Sequence, residues 1–361
     1  MFGCAGCGAV LTAAVSQVAL PVHARDTHWE ELHPALLEAG TYAVDPEPHG
    51  PPWRLGETVG AEEAAARGLF APVRAVSDGP PGTVLLAPGD MRGTGLIAER
   101  TEGYCLGINS GHGPNLACLG CGLPVGGRDD DCGHWQVVRL LPQAVVRLPG
   151  PPERPVLDWA QLPVEGAPWQ GLNGYEDIPA GAALAHVVAA SGGRPVGVPP
   201  GPVAELLGWG VAALLPAREG ASRPGTHGPG SAGSALRPEA RGPSRGDGAL
   251  RMDVGGPGAG EPDAELLLVP IHPQTGEVWQ PRGGAVALPV EAALWAAMAL
   301  PRERTRLPVV GGLPVGEERD DPLPPHPSVP FRPSLQAFRH TLARMPAVRE
   351  PWLRALYDRG W

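Results

Sequence analysis

Two cysteine pairs constrain this chain more than anything else in its 361 residues. The first is "FGCAGCGAV", Phe2 to Val10, and the second is "LACLGCGLPV", Leu116 to Val125. Both read C-x-x-C-G, both continue into apolar residues, and they hold four of the six cysteines. Two residues between thiolates let the backbone bend until both sulfurs reach one ion at about 2.3 Å. The bend turns N–H groups toward the sulfurs, and the following glycine permits the positive φ that closes it. Two such knuckles facing each other supply four sulfurs at the corners of a tetrahedron, an arrangement that brings residue 118 back to residue 4.

At these residues the chain resembles the zinc ribbons and rubredoxin-like folds, in which two C-x-x-C-G knuckles at hairpin tips share one metal. The likeness covers Cys4 to Leu11 and Cys118 to Val125 only. It implies a structural zinc held by Cys4, Cys7, Cys118 and Cys121, and nothing about the remaining fold. The departure is large: 110 residues separate Cys7 from Cys118, where a ribbon has tens, so a small inserted domain is expected between the knuckles. Local alternatives use Cys118 and Cys121 with Cys132 and His134, or with Cys105 in place of His134. Otherwise Cys105 and Cys132 are free, semi-buried thiols. A thioredoxin-like redox pair requires a helix after C-x-x-C, and neither pair has one. A disulfide framework requires an export signal, which is absent here.

The 28 basic residues are all arginine, with no lysine anywhere. This excludes P-loop NTPases, Schiff-base enzymes and protein kinases, all of which need the amine. A net charge of −10, spread over both halves, gives no basic footprint, so nucleic acid is an unfavoured partner. No apolar run has the roughly 18 residues of a membrane span. The apolar stretch Ala9 to Ala24 lacks a preceding basic residue and reads as strand in a cytoplasmic protein rather than as a leader.

Other constellations carry less. "HWE" at His28 to Glu30 and "ACLGC" approximate a zinc deaminase signature, but Ala117 stands at the proline position and the gap is too long. His23, His28 and His33 recur at five-residue intervals, wrong for one helical face, and read as solvated surface. "GTGLIA", Gly93 to Ala98, lacks the helix a dinucleotide site needs. Asp129, Asp130 and Asp131 read as a solvated turn. "GLPVGGRDD" recurs as "GLPVGEERDD" at Gly312 to Asp321 without cysteines.

The expected fold class is α+β: a mostly-β domain with zinc knuckles over 1–150, an α/β segment over 151–217, a disordered insertion over 218–263, and a continuation with a helical C-terminus over 264–361. Strands are expected at 10–20, 41–44, 83–87, 95–99, 104–108 and 136–148, and helices at 29–38 and 60–70. "AGAALAHVVAASGG" is a helix closed by Gly192 and Gly193. "PGPVAELLGWG" is a short helix before a strand "VAALL", and "PVEAALWAAMAL" is a helix led by Pro289. After "AELLLVP" the chain turns at Pro273 to Gly276 into a return strand. Leu335, Phe338, Leu342 and Met345, then Trp352, Leu353, Leu356 and Tyr357, predict two terminal amphipathic helices. The 52 glycines and 46 prolines make up more than a quarter of the chain, and the insertion, rich in Gly, Pro, Ser and Arg, has too few large apolar residues to offset its ordering entropy.

The expected function is protein binding by a cytosolic, zinc-stabilised chain, with the ten tryptophans serving core or interface. The alternatives are an enzyme built on an open metal position near Cys132, His134 and Asp131, and a nucleic-acid-binding ribbon. The sequence leaves the small-molecule ligand, like the substrate of the enzyme alternative, unidentified.

Overall fold

The computed structural model describes residues 1–28, 32–101, 107–162, 175–217, 248–300, 305–308, 318–321 and 331–359. The chain is a mixture of helices and sheets ending in two helices. It divides into two compact units. The first comprises Met1–Asp158 with the short excursions His272–Glu277 and Ala343–Pro346, and the second comprises the remainder.

In the first unit the strands are β1 (Phe2–Cys4), β2 (Ser16–Gln17), β3 (Thr41–Asp45), β4 (Trp53–Leu55), β5 (Ala75–Ser77), β6 (Thr83–Leu86), β7 (Thr94–Leu96), β8 (Leu116–Cys118), β9 (Pro124–Asp129), β10 (Val137–Leu140) and β11 (Val145–Arg147). A short helix, α1 (Ala61–Ala66), carries Glu62 and Glu63 in its first turn, where the helix dipole favours them. The main sheet has seven strands in the order β2-β3-β6-β10-β9-β8-β7, and β1 pairs separately with β11. No inserted domain separates the knuckles: the intervening residues supply β3, β6 and β7 to the sheet that also contains β8 and β9. The spacing exceeds that of a ribbon because strands of this sheet lie between its two halves.

Register explains the sheet's two faces. Tyr42, Leu86 and Val138 align across β3, β6 and β10, as do Val44, Val84 and Leu140. Most of these side chains join Phe2, Cys4, Leu11, Leu116, Cys118 and Val125 in one buried cluster, so two cysteines belong to the hydrophobic core. The intervening row, Ala43, Leu85 and Arg139, faces the other way, with Ala43 and Leu85 buried beside a set of ion pairs and hydrogen bonds. There Arg139 donates to Asp129, Ser110 donates to Asp129 Oδ1 through its backbone N–H at 2.7 Å and its hydroxyl at 2.8 Å, and Arg25 donates to Asp45.

The second unit holds α2 (Asp177–Ser191), β12 (Val196–Gly197), α3 (Pro202–Leu214), β13 (Leu250–Val254), β14 (Leu266–Pro270), β15 (Val286–Val290), α4 (Ala292–Ala299), a hairpin of β16 (Thr305–Pro308) and β17 (Glu318–Asp321), α5 (Leu335–Ala343) and α6 (Pro351–Arg359). Strands β12 to β15 form a parallel sheet in sequential order. Every residue of β14 is buried, as the unbroken apolar run Leu266–Pro270 requires of a central parallel strand. Trp295, fully buried on α4, donates its indole N–H to the Gly255 carbonyl at 3.0 Å.

Several expectations are corrected. "VAALL" is not a strand, because Val211 to Leu214 complete α3. The helix runs on through Gly210, where a Cβ would collide with Leu184 of α2. Pro289 does not open a helix; it lies in β15, the outer strand of its sheet, where its missing N–H costs no ladder bond. Residues 248–263, assigned to the disordered insertion, contain β13, whose Leu250, Met252 and Val254 are buried at alternate positions. Residues 218–247 of that insertion lie outside the described residues. Residues 32–38 form no helix, and 29–31 lie outside the description, as does most of the strand expected at 104–108. Within 10–20 only Ser16–Gln17 is strand, with isolated bridges at Val10 and Thr12. The strand at 136–148 is interrupted at Pro142–Ala144, and the return strand after β14 is a single bridge between Ile271 and Val278. Helix α2 ends as expected, with Gly192 at φ 60°. Both terminal helices form, and of the predicted faces Phe338, Leu342, Leu353 and Leu356 are buried, while Leu335, Met345, Trp352 and Tyr357 are half-buried.

Candidate metal centre

Each knuckle is a hairpin tip, and the two are built alike. The Cys4 N–H donates to the Ala9 carbonyl at 2.8 Å, and the Cys118 N–H donates to Leu123 at 2.9 Å. The Gly8 N–H closes back on the Cys4 carbonyl at 2.8 Å, and the Gly122 N–H closes on Cys118 at the same distance. Gly8 and Gly122 sit at φ 75° and 76°, where a side chain is strained. Equivalent residues have the same partners in both copies, so the knuckles are related by an approximate twofold.

That relation sets the sulfurs. Sγ of Cys4 lies 3.6 Å from Sγ of Cys121, and Sγ of Cys7 lies 3.6 Å from Sγ of Cys118. All four sulfurs fall within 4.8 Å of one another. A tetrahedron with metal–sulfur bonds of about 2.3 Å has edges of about 3.8 Å, so the four thiols fit a single thiophilic ion. The 3.6 Å separations are far beyond a bonded S–S length of about 2.05 Å. Cys4 and Cys118 are buried in the core, while Cys7 and Cys121 face solvent. Gly6 and Gly120 complete the symmetry. A Cβ on Gly6 would stand 3.4 Å from Cys121 Sγ and 3.7 Å from Cys4 Sγ, and one on Gly120 would stand 3.3 Å from Cys7 Sγ and 3.6 Å from Cys118 Sγ. Each crossed sulfur pair thus rests over a glycine.

The electrostatics suit a cation. Burial favours the neutral Cys4 thiol, but the N–H groups of Cys7 and Gly6 and the thiols of Cys121 and Cys118 bring it down to about 7. At Cys7 the Ala9 N–H acts in the same sense, yet the Cys121 and Cys118 thiols, burial and Cys4 outweigh it and push the thiol up to about 12. Four crowded sulfurs share protons among themselves, and a divalent ion would replace those protons.

Among the described residues this is the single group of cysteine, histidine or acidic side chains gathered closely enough to hold an ion. Cys132, half-exposed, and His134 are outside it. Cys105 lies outside the described residues. The Asp129–Asp131 run is not a solvated turn. Asp129 and Asp131 are both buried, and Asp131 Oδ1 accepts from the N–H groups of Gly107 at 3.1 Å and Cys132 at 2.9 Å. The period-two spacing of these acids on and beyond β9 was the available signal. His23 and His33 are also buried, with ring centroids 4.9 and 4.8 Å from that of Trp135, whose indole N–H donates to the Asp26 carbonyl at 2.9 Å. Nothing in their five-residue spacing could reveal this, because the packing runs through a residue a hundred positions away. Among the described residues no helix is long and apolar enough to cross a membrane.

Comparison with protein-family models, with curated proteins and with solved structures returned no match.

Proposed function

We propose that the four-cysteine centre binds one structural zinc ion through Cys4, Cys7, Cys118 and Cys121, and that the chain acts as a cytoplasmic protein-binding module. The observation that carries the reading is the mutual approach of four Sγ atoms within 4.8 Å. Four thiolates around zinc fill its tetrahedral shell, leaving no open position for water or substrate. Such a site holds segments together rather than activating a nucleophile. A reducing compartment keeps the four thiols available to the metal.

The surface beside the knuckles supports the binding role. Leu119, between Cys118 and Cys121, is 73% exposed and lies against Gly95 of β7. Val10 and Leu96 are exposed on adjoining segments. The partner surface that suits them is apolar.

The test is metal analysis of purified full-length protein with Cys4→Ser, Cys118→Ser and Cys132→Ser variants. One zinc per chain is expected, lost in the first two variants and retained in the third. A Cys4→Ser protein with full zinc beside a zinc-free Cys132→Ser protein would refute the assignment.

A further inference from the structure

We infer that the same four-sulfur centre is a peroxide-responsive clasp, in which a hydroperoxide converts the ligands into two disulfides that cross between the knuckles, Cys4–Cys121 and Cys7–Cys118, and releases the ion. The inference deepens the metal reading and rests on it. Three features of the geometry carry it. The crossed pairs approach to 3.6 Å each, within a group whose four sulfurs all lie inside 4.8 Å. Each joins an exposed sulfur to a buried one: Cys121 with Cys4, and Cys7 with Cys118. Each rests over a glycine, so no side chain stands between the partners.

The division of exposure assigns the roles. Thiolates that are accessible react with peroxide, and a neighbouring thiolate resolves the product. The exposed sulfur of Cys7 or Cys121, a thiolate while it holds the ion, attacks hydrogen peroxide, an S–O bond forms as the O–O bond breaks, and the departing hydroxide leaves as one water after protonation. The buried Cys118 or Cys4 thiolate then attacks that sulfur, the S–S bond forms, and the hydroxyl leaves as a second water. Each disulfide gives up two electrons to one hydroperoxide and consumes two protons. Two hydroperoxides convert the four thiolates, and the ion departs as the aqueous divalent cation.

Pairing within a knuckle is disfavoured by the same hydrogen bonds that shape it. The Cys4-to-Gly8 turn is closed by its backbone bonds, and its N–H groups aim at the Cys4 sulfur. Drawing Cys7 onto Cys4 would break that arrangement, whereas the crossed bonds leave both turns intact. Oxidation therefore leaves the two knuckles fastened to each other covalently after the ion has gone.

The test uses full-length, zinc-loaded protein carrying Cys105→Ser and Cys132→Ser, with zinc content measured first. It is titrated with hydrogen peroxide while a chromophoric chelator reports zinc release, then mapped by non-reducing peptide mass spectrometry. Expected are one zinc released per two peroxides, disulfide peptides Cys4–Cys121 and Cys7–Cys118, and a melting temperature nearer that of the zinc form than of the reduced, zinc-free form. Disulfides Cys4–Cys7 and Cys118–Cys121, sulfinic acids alone, or full retention of zinc would overturn the inference while leaving the metal reading standing. A zinc-free, reduced sample is oxidised in parallel. Protein that never takes up zinc refutes the metal reading, and its disulfide map still decides the crossed pairing.

Discussion

Removing the ion should destabilise the first unit by about 5 kcal/mol. Zinc bound to both knuckles fastens Cys7 to Cys118 across 110 residues, and closing a loop of that length in the unfolded chain costs about 5 kcal/mol. Contacts that do not involve the ion survive its loss. Strand β1 still pairs with β11, and Phe2 still packs edge-on against Tyr42 at 5.1 Å beneath the Arg147 guanidinium. Zinc also binds the thiols of the unfolded chain, which cancels much of the roughly 10–16 kcal/mol of structural zinc binding, so the closure term is what remains. In a unit of this size each kcal/mol moves the melting temperature by about 2–4 °C, which gives a fall of about 10–20 °C. Differential scanning calorimetry of the reduced protein with and without a strong chelator measures it. Cys118→Ser should melt low and ignore the chelator, and Cys132→Ser should behave as the parent. A shift under roughly 3 °C, in protein shown to have carried one zinc, would refute the idea that the ion closes this loop.

Gly8→Ala and Gly122→Ala place a side chain at φ near +75°, so each should cost about 1–2 kcal/mol and weaken zinc in chelator competition, with Gly122→Asn milder than Gly122→Ala. Arg139→Met leaves buried Asp129 without its cation and should cost about 3–5 kcal/mol in urea denaturation; adding Asp129→Asn should recover part of it. His49 is held down to about 3 by burial and by the Arg139 guanidinium, with Asp129 opposing and Arg25 assisting. Its depressed value means the contribution to stability is complete above pH 6.5 and is lost as pH falls from there toward 3, so a His49→Gln variant should show a shallower acid-induced loss over that window. Gly210→Ala drives a methyl into Leu184 of α2 and should cost about 1–3 kcal/mol by overpacking.

The knuckles were legible because their chemistry is local. Cysteine spacing and the following glycine specify a turn whose hydrogen bonds span only five residues. The terminal helices were legible for a similar reason, since 3.6-residue periodicity needs no knowledge of a partner. What could not be read depends on distant residues. Gly210 looks like a helix stop until Leu184 is placed beside it, and Pro289 looks like a helix start until β15 is seen as an outer strand. The buried acids Asp129 and Asp131 are disguised by Asp130 between them, which is half-exposed and paired with Arg128 at 2.8 Å. β13 was hidden by the Gly- and Pro-rich residues around it, although Leu250, Met252 and Val254 alternate as a strand should.

Because the two half-sites are far apart in sequence, the centre also has a timetable. At about 5–20 residues per second, a ribosome needs roughly 6–23 s to proceed from Cys7 to Cys121. Over that interval Cys4 and Cys7 exist as a nascent dithiol without their counterparts, and β1 has no β11 to pair with. The first knuckle is made early and matures late, so the metal is loaded only after most of the first unit has been synthesised.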